Sequence, residues 1–384
     1  MPETRISNGT ARQARKALNA FAVNHKDAEC IIRTTGGHLT AVVTANHSTP
    51  VGMVRLGETK ETVEAARIEP KRLADLIKPQ GRSDVTMLIH DGMLTCGTLS
   101  TPTAPVEDAD QSCLDIDLKR RAPAKPCLRV KAQPFAAAIR DAATTTEPGR
   151  PVLGCVHISG DGAGQMTVES TDQPRLTRFE LDGTPEDGQP FDMVANAQGL
   201  KRLAGTFHGD VEISEWEYGL LRVDDGVTCA WFTDTGDFPE LRKYYTAKHK
   251  GSAEIDGMAL AGAVKTVTGS VKDDSVVLLK RQDTLAVSHM VTGMTATVTA
   301  SFDDGFPDIV AFNPKYLMNA LKMMAGRATT GRVRLSGTDQ VKPVEFQPIM
   351  PDENPDARQR TVVMPMRLPD SESVARLAGI DTNW

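Results

Sequence analysis

The chain has 384 residues, with 44 Lys and Arg against 50 Asp and Glu, for a formal net charge of −6 at pH 7. That length exceeds one ordinary hydrophobic core and points to two or three units of roughly 120–190 residues each. The acidic balance excludes a protein that coats nucleic acid with its whole surface, although a local basic face is compatible with it. No apolar run reaches the roughly 18–20 residues that span a bilayer. The polar segment Met1–Thr10 lacks the apolar stretch of a signal peptide, so a cytoplasmic location is expected. The six cysteines, Cys30, Cys96, Cys113, Cys127, Cys155 and Cys229, show no metal-ligand spacing and read as reduced thiols.

Apolar periodicity predicts a first helix over Thr10–Phe21 and a second over Glu69–Lys78. Strands are expected at Asp84–His90 and Met93–Thr98. A third helix follows over Gln133–Thr144, then a strand at Gln165–Ser170 and a fourth helix over Asn196–Phe207. The last third repeats the pattern. A helix over Asp256–Thr268 precedes strands at Asp273–Lys280, Thr284–His289 and Met294–Ser301, and a helix over Asn313–Ala325 precedes a strand at Gly331–Ser336. Pro70, Pro134 and Pro314 fall in first helical turns, where the missing N–H costs nothing. Helix starts recur about every 55–65 residues, two per third of the chain, which is the signature of tandem α+β units. Arg120–Pro126 and Thr246–Ser252 read as linkers between them. The expected boundaries are 1–122, 127–247 and 253–368, with a C-terminal extension over 369–384.

Catalytic patterns are missing. There is no nucleophile elbow and no H-E-x-x-H, and His90 and His157 read as packed or exposed strand residues. Gly160–Gly164 has no helix after it and reads as a hairpin turn rather than a nucleotide loop. Asp303-Asp304 adjoins a Gly-Phe-Pro turn and reads as solvated loop. A non-catalytic protein without cofactor or metal is therefore expected.

Four motifs narrow the reading. Phe312-Asn-Pro-Lys-Tyr-Leu317 with Asn319–Leu321, and Val362-Val-Met-Pro-Met-Arg-Leu368, resemble the last helix and closing strand of the β subunit (sliding clamp) family of bacterial DNA polymerase III. Thr171-Asp-Gln-Pro-Arg-Leu176 resembles that family's T-D-G-H-R-L, and Gly236–Lys243 its G-x-F-P-D-Y-x-R, in the same order along the chain. The resemblance covers the second and third expected domains well and the first only through its helix–strand pattern. It implies an α+β protein of three tandem clamp domains. Two subunits would join head to tail in a closed ring, with helices lining the hole and sheets outside. The function implied is a replication processivity factor that encircles double-stranded DNA and tethers DNA polymerase III, clamp-loader subunits and other proteins carrying short linear motifs.

Carried onto this chain, the family's peptide pocket falls on Leu153, Thr171, Arg175, Leu176, Pro239, Lys243 and Tyr244. It continues with Asn313, Tyr316, Val362, Met364, Pro365, Met366, Arg367 and Leu368. The chain departs from the family at Gln173-Pro174, where Gly-His is usual, at Lys243 in place of Arg, and at Tyr244 in place of a small aliphatic. Val267, Thr268 and Gly269 replace bulky aliphatics at the subunit contact. The extension carries Val374, Leu377, Ile380 and Trp384 at helical spacing, and is expected either to fold back over the pocket or to hang free. Basic residues on the helices form the expected DNA-facing set: Arg12, Arg15, Lys16, Arg72 and Lys78, then Lys131, Arg140, Lys201 and Arg202, then Lys265, Lys315 and Lys322. Acidic residues concentrate in segments read as strands and loops, such as Glu107–Asp110, Asp210–Glu217 and Asp303–Asp308. Phosphate contacts of this kind attract every sequence equally. A DNA-binding regulator built on the same fold is the alternative; it would need base-reading residues at a helix start, and these Ala-rich helices do not present them.

Overall fold

The computed structural model describes residues 3–46, 49–79, 81–120, 127–186, 188–216, 219–245, 248–269, 275–350 and 357–368. Its helices are α1 (Asn8–Asn24), α2 (Pro70–Leu76), α3 (Asp108–Arg120), α4 (Ala132–Ala142), α5 (Ala197–Ala204), α6 (Arg242–Tyr245), α7 (Gly257–Thr268) and α8 (Pro314–Ala325). All six expected helices are present. Their starts are set by side-chain caps. Ser7 Oγ accepts the Thr10 N–H, Asn196 Oδ1 the Gly199 N–H, and Asp256 Oδ1 the Ala259 N–H. Each cap satisfies a donor that the first helical turn leaves orphaned. Among the described residues, no helix is long and apolar enough to cross a membrane.

The chain divides into two compact units. One holds the described residues up to Arg140, together with Cys155–Met166 and Leu181–Gly236. The other holds Asp141–Gly154, Thr167–Glu180 and the described residues from Asp237 on.

In the first unit, Glu3–Ile6, Val85–His90, Met93–Cys96 and Leu99–Pro102 form a four-stranded antiparallel sheet in that order. A ten-stranded sheet runs from Thr184–Pro185 through Leu128–Lys131, Asp210–Trp216, Leu220–Asp224 and Thr228–Thr233. It continues through Thr49–Glu58, His38–Ala45, Glu29–Thr35 and Ala66–Ile68 to Ala104–Pro105. Helix α1 lays Ala11, Ala14, Ala17, Leu18 and Phe21 on this sheet, all fully buried, and packs beside α2. The small residues let the backbones approach, and Phe21 fills the space above Gly52: a Cβ there would sit 2.1 Å from the ring.

In the second unit, an antiparallel sheet is ordered Ala357–Val363, Val344–Pro348, Arg332–Gly337, Gly251–Asp256, Thr295–Phe302, Thr284–His289, Val276–Lys280 and Ile309–Phe312. Helices α7 and α8 pack together, burying Leu260, Val264, Leu317, Leu321 and Met324 with Phe312 and Phe346. Strand Ala357–Val363, which also neighbours the strand Arg175–Asp182, is linked by one stretch of chain to the last strand of that order. After Val363 the backbone crosses over, and Met366 bridges back to Ala311 on the last strand.

Three expectations change. The acidic stretch at Glu107–Asp110, read as loop, enters α3, which lays Leu114 with Leu118 over Ile31 and Val42. Its signal was weak because only two side chains one turn apart reach the core, and its acids pair with Arg67 and Arg33. Lys131, read as a helix residue, closes strand Leu128–Lys131 and ion-pairs with Asp210 at 2.7 Å. Val267 and Thr268, read with Gly269 as lying at the subunit contact, are the buried last residues of α7, the Thr268 hydroxyl bonding back to the Val264 carbonyl, while Gly269 is exposed. Gly160–Gly164 is a hairpin turn, as expected, with Asp161 Oδ1 accepting the Ala163 and Gln165 N–H groups. The extension 369–384, residues 121–126 of the first linker and residues 246–247 of the second lie outside the described residues, whereas Gly251 and Ser252, read as linker, open the strand Gly251–Asp256.

The Gly52–Phe21 contact is directly testable. Gly52→Ala is expected to destabilise by about 1–3 kcal/mol, the usual cost of overpacking a filled core. Urea unfolding followed by tryptophan fluorescence checks it, with Gly205→Ala, where a Cβ meets nothing within 4 Å, as the neutral control.

Candidate peptide-binding site

Every residue of the expected pocket falls in the second unit. Its floor is a buried apolar cluster of Leu176, Leu241, Tyr245 and Val362, each under 8% exposed, with Phe238 and Tyr244 half-buried on its rim. Leu176 and Val362 come from adjacent strands. Leu241, Tyr244 and Tyr245 come from the turn and short helix α6 that follow the Phe238-Pro239 motif.

A hydrogen-bonded turn frames one side. Thr171 Oγ1 donates to the Arg175 carbonyl at 2.9 Å and accepts the Gln173 N–H at 3.0 Å, while Asp172 Oδ1 accepts the Arg175 N–H at 3.0 Å. Arg175 is itself buried. Its Nε and Nη2 donate to Asp172 Oδ2, Nη2 also reaches the Thr144 carbonyl at 2.9 Å, and the guanidinium lies 4.7 Å from the centre of the Tyr316 ring. Its charge is thus spent inside the fold. Tyr316 in turn is fixed by α8, whose first turn Asn313 caps by accepting the Lys315 and Tyr316 N–H groups.

The closing segment is pinned at two points. The Met364 N–H donates to the Pro174 carbonyl and the Met366 N–H to the Ala311 carbonyl, each at 2.8 Å. Between them Met364 and Pro365 are half-buried, and Met366 and Arg367 are exposed. Thr361 Oγ1 reaches the Leu176 carbonyl and shares a hydrogen bond with Thr177, so the strand's inner face is structural.

The structure therefore brings Leu176, Tyr244 and Val362 into one cluster and Arg175 onto Tyr316, with Thr171 holding the turn between. It separates others from that cluster. Leu368 packs with Val277, Leu279 and Ala311 instead, Leu153 is half-buried after α4 with its carbonyl bonded to Glu147, and Pro239 is exposed; Lys243 is exposed too, with its Nζ over the Tyr244 ring. Sequence reasoning missed Phe238, Leu241 and Tyr245, although their spacing of three and four residues was a readable helical signal. Tyr245 carries a cost. Burial pushes its phenol well above the ordinary range, Glu169 adds to the shift, and its buried hydroxyl has no hydrogen-bond partner among the described residues.

The expected DNA-facing cations are distributed over both units. Ten of the twelve are exposed; Arg15 and Lys201 are half-buried. Arg12 donates to the Gly81 carbonyl and Arg202 to Asn24 Oδ1, while Lys265, Lys315 and Lys322 stand on α7 and α8 of the second unit.

With this geometry in place, the chain was compared with known proteins. It overlays on the DNA polymerase sliding clamp of Pseudomonas aeruginosa with a TM-score of 0.73, covering 96% of this chain and 100% of that one at 15% identity. The DNA polymerase III β subunit of Thermotoga maritima gives 0.72, with the same coverage and 12% identity. The chain has the sliding-clamp fold. A curated β sliding clamp from Lactococcus lactis subsp. lactis is 25% identical over 224 residues, which is 54% of this chain and 56% of the relative, so the match spans about half of each. No family model matches. In fold the chain is similar to the sliding clamps, and in sequence about half of it is similar to a β sliding clamp.

Gln173, which stands where the motif that this turn resembles has Gly, holds φ +77°, in the left-handed region. A side chain there costs about 1 kcal/mol or more, borne because the Thr171 and Asp172 bonds fix the turn. Gln173→Gly is expected to raise the thermal midpoint, by about 0.5–1 kcal/mol of net stability after the added unfolded-state entropy. Calorimetry of the two proteins in one buffer checks it.

Proposed function

We propose that this protein is a DNA sliding clamp, a non-catalytic cytoplasmic processivity factor. It would encircle duplex DNA and tether DNA polymerase III and other motif-bearing partners through the Leu176–Val362 site. The observation that carries the reading is the closing segment Val362–Leu368. Its letters match the clamp family, and it lies pinned between Pro174 and Ala311 against an apolar floor with half-exposed aromatics. Such a floor accepts short apolar side chains, with polar backbone nearby to orient the peptide.

In this proposal the three domains are 1–122, 127–247 and 253–368. Two chains meet head to tail, and helices bearing Arg12, Lys16, Arg72, Arg140, Arg202, Lys265, Lys315 and Lys322 face the hole, with Lys78 just past the end of α2. Two exposed edges suit the subunit contact. Leu99–Pro102 ends the four-stranded sheet with Leu99 48% exposed, and Thr295–Thr299 has a free edge beside the exposed Val291 and Met294. A head-to-tail contact that closes after two copies gives a ring rather than a filament. Since Val267 is buried, the apolar contribution shifts from the end of α7 to the neighbouring hairpin, where the Thr292 hydroxyl bonds to the Val267 carbonyl.

The test is topological. Loaded onto a nicked DNA circle by a bacterial clamp loader, the protein should stay bound through gel filtration at high salt, which strips purely ionic binding. It should be released once the circle is cut. Retention on linear DNA, or salt-labile binding to the circle, would contradict the proposal.

A further inference from the structure

Within that proposed site, Lys243 and Tyr244 form a cation–aromatic pair at the rim. Tyr244 is half-buried against Leu176, Leu241 and Val362, so one part of its ring completes the apolar floor. Above the ring stands Lys243, its Nζ 5.0 Å from the ring centre and its side chain exposed. The neighbouring charges are otherwise engaged or face solvent. Arg175 is held by Asp172, and Glu240 accepts the Arg242 backbone N–H. Among the described residues, Lys243 has no carboxylate within ion-pair distance, and no hydrogen bond is formed by the Tyr244 hydroxyl. An ammonium on an aromatic face is held there weakly, with its three donors still available. The site thus offers an apolar seat with an unspent cation and a phenol on its lip.

We propose that this pair makes the site selective for peptides in which an acidic side chain directly follows the buried apolar anchor. The anchor would pack on Phe238 and Tyr244 over the Leu176–Val362 floor, and the carboxylate would accept from Lys243 Nζ and the Tyr244 hydroxyl. A charge-assisted bond at a partly desolvated rim is stronger than a fully solvated ion pair. The inference rests on the peptide-site reading above, and it adds to that reading the chemistry of the partner.

Fluorescence anisotropy on the full-length protein tests it with three labelled, C-terminally amidated peptides that share a Leu-Phe anchor and continue with Asp, Asn or Lys. The Asp peptide is expected to bind about fivefold more tightly than the Asn peptide, and the Lys peptide more weakly than both. Lys243→Ala should abolish the difference between Asp and Asn, Lys243→Arg should keep most of it, and Tyr244→Phe should keep part. Phe238→Ala should weaken all three peptides alike, with an unchanged circular dichroism spectrum showing that the variant folds. If the wild-type protein binds Asp and Asn peptides equally while Phe238→Ala weakens both, the acidic preference is overturned and the peptide site stands. If none of the three peptides binds, or Phe238→Ala changes nothing, the site reading falls and this inference with it.

Discussion

Two backbone hydrogen bonds, Met364 to Pro174 and Met366 to Ala311, hold the arrangement of the candidate site together. They take a strand that has finished its sheet pairing at Val363 and lead it across to the edge strand Ile309–Phe312 of the same sheet. On the way it exposes Met366 and Arg367 while Val362 stays buried against Leu176. The side chains then follow from ordinary alternation. Thr361 and Val363 face inward and are spent on the fold, while Val362 turns to the floor of the site.

The charges around that segment are arranged in two ways. Arg175 and Asp172 neutralise each other inside the turn, and Arg178 is shared between Glu169 and Glu180. These buried pairs specify geometry, since removing one partner would strand the other's charge. The exposed cations on α1, α2, α5, α7 and α8 mostly lack such partners, as expected of groups that attract phosphate without reading sequence. A formal charge of −6 is compatible with that local excess because acids are concentrated elsewhere, notably on α3.

The legible part of the sequence was the part with strong periodicity and local caps. All six helices expected from apolar periodicity formed, and four of them prove to be capped by Ser7, Asn196, Asp256 and Asn313. Helix α3 was hidden because Leu114 and Leu118 are its main apolar contacts and its Asp-rich surface imitates a loop. Lys131 looked helical because it precedes Ala132 directly, yet strand pairing with Asp210 claims it. Val267 and Thr268 could not be placed from sequence, because whether a helix end is buried depends on the hairpin at Thr292, far along the chain. Within the site, the family motifs located Leu176 and Val362; the apolar spacing of Phe238, Leu241 and Tyr245 was readable, but that they share the floor with Leu176 and Val362 needed the fold. Gln173 could be seen to differ from Gly, but not that the turn would still take a left-handed backbone.

The central claim is that two copies of this 41.5 kDa chain close into a ring around DNA. Electron microscopy of the purified protein, with light scattering on the same sample, tests it most directly. The account predicts particles of twice the chain mass with a central hole wide enough for duplex DNA. A stable monomer at micromolar concentration, or a dimer without a hole, would contradict it.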